Sequence, residues 1–275
     1  MILVASIFYG GDNLVSERKN KLWLELQQRF LKQTTVDYDH AVYLNSVRNR
    51  SDFAHLIPIG WNDRGTVKTS CINHLNGLKK IVEYCKHHDE YDRCLILDSD
   101  AFPINPEWQK CLNDRMDYED FNLAAVVRYE NLDLFPHPSA MYFNRQGIDE
   151  AKFVPVSELP AKETFFSERV LEFGRYNDPT LDMPFFPMIR SNVWNPHPIT
   201  AGVYHDLFFH MSAGSRFPTT RSALWQYHRR HIDDRTIGRE ILGEIERDAE
   251  GFIDKLRFGS EDLSEPTVTA KDMLI

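Results

Sequence analysis

Leu95-Ile-Leu-Asp98-Ser-Asp100-Ala-Phe-Pro103 is the stretch on which the reading of this chain turns. An apolar run entered from Arg93-Cys94 predicts a strand buried on both faces, the pattern of a parallel sheet. Two carboxylates separated by one small residue follow it, at the strand's carboxyl end, where open α/β sheets bind ligands. Asp98 and Asp100 can converge on a hard divalent cation and leave coordination positions for phosphate oxygens. A bare pair of aspartates is a weak signal; a pair placed straight after a buried strand is a much stronger one.

Working outward, the preceding sequence alternates between strand and helix signals. Ile2 to Phe8 reads as a first strand, stopped at Gly10-Gly11-Asp12-Asn13. Leu14 to Leu31 reads as a helix, with Leu22, Trp23, Leu26 and Phe30 at helical spacing. His40 to Leu44 is a second strand, and Leu56-Ile-Pro-Ile59 a third strand or edge segment. A polar loop over residues 60–65 and a helix over residues 69–86 lead into the acidic stretch, and Phe121 to Val127 supplies another strand. This order predicts one α/β domain with an open, mostly parallel, twisted sheet flanked by helices. The second half is richer in Pro, Phe, His and Asn. It predicts a strand over Met141 to Phe143, a helix over residues 165–173, a strand over residues 203–210 and an amphipathic C-terminal helix over residues 236–256. The expected organisation is one domain over residues 1–258, with a nucleotide half at 1–130, an acceptor half at 131–235, the C-terminal helix at 236–258 and a polar tail at 259–275.

The 275 residues are 42% hydrophobic and 27% charged, an ordinary globular composition. The net charge of −9, from 41 acids against 32 bases, argues against nonspecific binding to nucleic acid or to an anionic membrane surface. Cys71, Cys85, Cys94 and Cys111 form no CxxC pair and read as small buried or incidental thiols in a reducing compartment. The apolar start, Met1 to Tyr9, has no basic flank and no small-residue cleavage site, so it reads as a strand rather than a leader. With no apolar run of spanning length, the expectation is a cytoplasmic protein without a transmembrane segment, with room for peripheral membrane association.

The first 130 residues resemble a GT-A fold glycosyltransferase of the family-2 type. The resemblance rests on Val4-Ala-Ser-Ile-Phe-Tyr-Gly-Gly11, on Thr69-Ser-Cys-Ile-Asn-His-Leu-Asn76 and on Leu97-Asp98-Ser-Asp100. It implies Mn2+ or Mg2+ on Asp98 and Asp100, with Ser99 between them against the diphosphate of a nucleotide-sugar donor. It implies that Ser6 and Tyr9 lie against the base, Asn45 beside its edge, and Asn76 at the marked helix. Arg64 and Lys68 flank the polar loop and are candidate phosphate contacts. Gly202 to Arg216 resembles the strand and small-residue loop that return to the metal in GT-A enzymes. Carried over, His210 is a third metal ligand, and Gly214, Ser215 and Arg216 line the diphosphate.

An inverting reaction needs a general base near a saccharide or other hydroxyl acceptor. Asp182 and Asp178, in an apolar and proline-rich setting, are the candidates. The usual Glu-Asp base pair occurs at Glu119-Asp120 and Glu261-Asp262, neither of which suits the role, so the stereochemical outcome stays open. The expected function is metal-dependent transfer of a sugar to a hydroxyl acceptor. Alternatives are a haloacid-dehalogenase-type phosphatase with Asp98 as nucleophile, a nucleotidyltransferase, which Gly10-Gly11-Asp12 disfavours by lacking a basic run, and a non-catalytic nucleotide-sugar binding module.

Overall fold

A computed structural model of the chain describes residues 1–11, 14–63, 70–128, 133–155, 179–181, 183–193, 202–211 and 242–258. In chain order these form β1 (Ile2–Tyr9), α1 (Leu14–Leu31), β2 (Tyr38–Asn45), a 3-10 turn (Arg50–Phe53), β3 (Ile57–Asn62), α2 (Ser70–Lys86), β4 (Arg93–Asp98) and β5 (Ala101–Pro103). There follow α3 (Trp108–Glu119), β6 (Leu123–Arg128), β7 (Asp133–Asn144), α4 (Arg145–Glu150), β8 (Phe153–Pro155) and β9 (Pro179–Leu181). The last are β10 (Phe186–Met188), β11 (Arg190–Val193), β12 (Gly202–Tyr204), β13 (Phe208–His210) and α5 (Ala249–Phe258).

The main sheet has seven strands in the order β10-β6-β7-β4-β1-β2-β3. Its left and right neighbours are parallel except β7, which runs antiparallel between β4 and β6. The mixed α/β class and the mostly parallel sheet are as the sequence predicts. The alternating side chains of β1 explain the layering. Leu3, Ala5 and Ile7 join Leu78, Ile81, Val82 and Cys85 of α2 in one core. Ile2 and Val4 join Leu31 of α1 and Trp108, Leu112 and Met116 of α3 on the other face. Pro58 sits in β3, the edge strand, where a missing backbone donor costs no ladder bond.

A smaller sheet, β11-β12-β13-β5, continues from the end of β4. A column of rings supports it. Phe30 of α1 stacks on Phe102 of β5 at 4.7 Å, Phe102 meets Phe209 of β13 at 5.1 Å, and Phe209 meets Phe252 of α5 edge-on at 5.5 Å. All four rings are buried.

Several boundaries differ from the sequence reading. The run 203–210 is a hairpin rather than one strand: His205 and Asp206 take φ of 54° and 56°, turning the chain between β12 and β13. Apolar residues on both sides of the turn mask it, and an aspartate tolerates the left-handed region without glycine. β3 continues to Asn62, through the first part of the expected polar loop, because it pairs with β2 as far as Asn45. The C-terminal helix is broken at Asp248, whose side chain accepts from the Gly251 amide and caps α5. The helix α3 was not expected from the sequence. The expected helix at 165–173 lies outside the described residues.

α2 comes close to the sheet at Gly77. A Cβ there would meet Tyr43 Cδ1 at 2.9 Å and Ile7 Cδ1 at 3.3 Å, and the Tyr43 ring is itself buried. Gly77→Ala is expected to destabilise the protein by about 1 kcal/mol, overpacking outweighing the gain in helix propensity. The urea midpoint measures this, and a midpoint that stays or rises would mean that the Tyr43 ring yields.

Candidate metal centre

The carboxyl end of β4 is fixed from two sides. On one side lies α1, whose buried stripe carries the polar residues Glu17, Asn20 and Gln27 among its apolar ones. Each holds a neighbouring loop. Glu17 accepts from the Arg48 backbone amide at 3.2 Å and pairs with its guanidinium at 2.7 Å. Asn20 donates to the Tyr9 carbonyl at 2.8 Å. Gln27 donates both amide hydrogens, to the carbonyls of Asp98 at 2.8 Å and Ala101 at 2.6 Å, and so spans the turn that bears the acids. Its carbonyl oxygen accepts from the Ser6 hydroxyl. Because that hydroxyl has spent its proton, its oxygen accepts from Nε2 of His40 at 2.9 Å. Burial pushes the His40 imidazole down to about 4, and the nearby His55 adds to the effect.

On the other side lies β13. Its pairing with β5 sets His210 opposite Ala101, and the Met211 amide donates to the Asp100 carbonyl at 3.1 Å. The hairpin therefore brings His210 to the acids through main-chain registry. The ligand atoms of Asp98, Asp100 and His210 all lie within 4.8 Å of one another. His210 Nε2 stands 3.7 Å from Asp98 Oδ2 and 3.6 Å from Asp100 Oδ1. Those separations exceed a hydrogen bond. They lie a few tenths of an ångström above the ~3.0–3.5 Å between donor atoms that share a divalent ion at ~2.1 Å. Two carboxylates and an imidazole this close to one another could hold a divalent cation. His210 and Asp100 are buried, whereas the Asp98 side chain is 21% exposed and marks the side open to solvent.

The other oxygen of Asp98, Oδ1, accepts from Nε2 of His74 on α2 at 2.9 Å. His137 on β7 is buried with its ring centre 5.9 Å from that of His210, and its Nδ1 accepts from the Ser139 amide at 3.1 Å. At the carboxyl ends of β2 and β3 and the first turn of α2, on the same edge of the sheet, Asn62 donates to Asn45 at 3.1 Å and to Asn73 at 3.3 Å. Gly10 closes this floor: its amide donates to the Asn45 carbonyl at 2.8 Å, and a Cβ on it would lie 2.5 Å from the Ser46 carbonyl oxygen.

The structure brings together the three metal-ligand candidates, Asp98, Asp100 and His210, with Ser99 buried between the acids. Ser6 is fully buried, and its side chain bonds to Gln27 and His40 and so supports the acidic turn. Tyr9 is half-buried at the end of β1, and Asn45 is buried with its side-chain oxygen taken by Asn62. Asn76 is half-buried on α2. It lies two residues past His74, about 200° round the helix, and so on another face. In the same Asn-His-Leu-Asn run, His74 reaches Asp98 and Asn73 bonds to Asn62. Arg64, Lys68, Asp178, Asp182 and Gly214 to Arg216 lie outside the described residues. Gln27 gave no signal in the sequence beyond being one of the polar residues on a largely apolar helical stripe.

No protein-family model matches the chain, and no curated protein sequence does. Solved structures are similar at low identity. A mannosyltransferase from Pyrobaculum calidifontis in complex with GDP-Man and Mn2+ is 10% identical over 54% of this chain and 45% of its own, with a TM-score of 0.38. This chain thus spans less than half of that enzyme. A glycosyltransferase involved in the glycosylation of the major capsid of PBCV-1 is 11% identical over 81% of this chain and 95% of its own, TM-score 0.39. A cytidylyltransferase from Leptospira borgpetersenii is 12% identical over 69% and 75%, TM-score 0.37. Nucleotide-sugar and nucleotide transferases thus recur among the similar structures. At TM-scores below 0.5 none of these likenesses assigns an activity, a substrate or a metal to this chain.

Gln27→Leu strands two buried carbonyls and the Ser6 hydroxyl. It is expected to cost about 2–4 kcal/mol in chemical denaturation, and an effect under about 0.5 kcal/mol would remove Gln27 from its structural role. His40 titrates lower in the folded protein than the ordinary 6.5. The folded state then binds fewer protons than the unfolded chain between about 4 and 6.5, so its contribution is complete above that window and is lost as pH falls through it. In His40→Gln, which keeps an N–H donor for Ser6 but cannot titrate, unfolding free energy should fall less steeply with decreasing pH across that window. Equal slopes for the two proteins would contradict the assignment.

Proposed function

We propose that this chain is a metal-dependent glycosyltransferase with a single GT-A-type domain, moving a sugar from a nucleoside-diphosphate donor to a saccharide or other hydroxyl acceptor. The observation that carries the reading is the convergence of Asp98, Asp100 and His210 at the carboxyl end of parallel strand β4. Asp98 and Asp100 together carry two negative charges, which a bound divalent ion would balance, and the partly exposed Asp98 leaves the set open on its side. Such an ion neutralises charge on a departing diphosphate. The imidazole nitrogen favours Mn2+ over Mg2+, which prefers oxygen donors and water.

Around that ion, Tyr9 and the Asn45-Asn62-Asn73 floor form the proposed base side of the donor site. Arg64, Lys68 and Arg216 are the proposed diphosphate contacts, and Asp182, with Asp178 beside it, is the proposed acceptor-side base. The phosphatase reading is less well supported. It requires an Asp98 oxygen free for in-line attack, whereas Oδ1 accepts from His74 and Oδ2 faces His210. Among the described residues no helix is long and apolar enough to cross a membrane.

The test is thermal shift with UDP or GDP, with and without Mn2+. The melting temperature should rise only with ion and nucleotide together, and Asp100→Ala should abolish the rise. A shift that needs no metal, or none with either nucleotide, would sink the reading; release of free sugar nucleotide from sugar phosphate and nucleoside triphosphate would point instead to nucleotidyl transfer.

A further inference from the structure

We propose that His74 makes Asp98 a one-oxygen ligand and thereby sets which divalent ion the site accepts; the inference rests on the metal reading above. The two oxygens of Asp98 face different imidazoles. Oδ1 accepts a hydrogen bond from His74 Nε2 at 2.9 Å, while Oδ2 points at His210 Nε2 from 3.7 Å. A carboxylate can accept but not donate, so His74 Nε2 carries the proton in this contact. An oxygen held by that N–H is turned away from joint chelation of the ion that Oδ2 faces.

The main chain supplies the rest of the constraint. Gln27 fixes the Asp98 carbonyl and the Met211 amide fixes that of Asp100, so the remaining freedom of Asp98 lies in its side chain. That side chain is 21% exposed and His74 is 22% exposed, so water alone would not hold the carboxylate in one orientation. His74 itself is delivered by α2, whose Gly77 lets the helix approach the sheet.

The consequence is that Asp98 offers the ion one oxygen, beside the Asp100 carboxylate and one nitrogen of His210. Ca2+ takes six to eight oxygens and makes use of two-oxygen carboxylates. First-row ions such as Mn2+ accept an imidazole and fewer protein donors. By withholding Oδ1, His74 therefore discriminates against Ca2+. Hydrogen bonds that orient ligands of this kind typically change metal affinity 10- to 100-fold.

The measurement is Mn2+ binding followed by electron paramagnetic resonance, with Ca2+ as competitor, on the wild type, His74→Leu and His74→Gln. The wild type should bind Mn2+ in preference to Ca2+. In His74→Leu the Mn2+-to-Ca2+ preference should fall about 10-fold or more. In His74→Gln, which keeps an N–H donor close to the same place, most of the preference should return. An unchanged preference in His74→Leu, or a glutamine variant that behaves like the leucine one, overturns the role of His74 while leaving the metal site standing. A wild type that binds no Mn2+ overturns the metal reading itself, and with it this inference. Circular dichroism checks the fold, and His74→Ala replaces the leucine variant if that protein does not fold.

Discussion

The carbonyls of Asp98 and Ala101 both end on one amide group, that of Gln27, and the rest of the site depends on that bridge. A strand that leaves a sheet must satisfy its last backbone acceptors or expose them. Here one helix side chain satisfies the last carbonyl of β4 and the first of β5 at once, across the turn that carries both acids. The bridge is itself held by Ser6 and, through Ser6, by His40. Every member of this chain has a partner, which is the condition under which a buried polar network rigidifies rather than weakens a core. Glu17 and Asn20 on the same helix hold the segment after β2 and the last residue of β1. One face of α1 thus organises the carboxyl edge of the sheet.

The opposite wall is built from different forces. His210 reaches the acids because β13 pairs with β5, and that pairing is backed by the ring column Phe30-Phe102-Phe209-Phe252. Dispersion and apolar burial hold the hairpin, and hydrogen bonds hold the turn. The acids and the imidazole meet where these two systems join. The backbone there is over-determined, and the side chain of Asp98 retains contact with solvent. A site that must admit a charged ligand needs that combination, since exposure on every side would cost orientation and full burial would exclude the ligand.

Much of this was legible in the sequence. The unbroken apolar run before Asp98 and the helical spacing of Leu22, Trp23, Leu26 and Phe30 are local patterns, and they specified the α/β class and the placement of the acids. The hairpin at residues 202–210 was not legible, because His205 and Asp206 turn the chain in a left-handed conformation that needs no glycine. The partner of Ser6 was not legible either: its side chain faces α1 because alternation along β1 sends Ile2, Val4 and Ser6 to that side, where it bonds to Gln27. In the α2 motif, the resemblance pointed to Asn76, whereas helical geometry turns His74 to Asp98 and Asn73 to the amide floor.

By itself the sequence determined which residues could serve as ligands and which elements they sit on, because period and turn chemistry are properties of neighbouring residues. Tertiary structure alone decided that Asp98 and Asp100 meet His210, more than 100 residues away in the chain, that His74 takes one oxygen of Asp98, and that Gln27 closes the turn. Those contacts are fixed by strand registry and by the face that each helix turns to the sheet. Both are set by the burial of apolar surface across the whole fold, which no local stretch of sequence encodes.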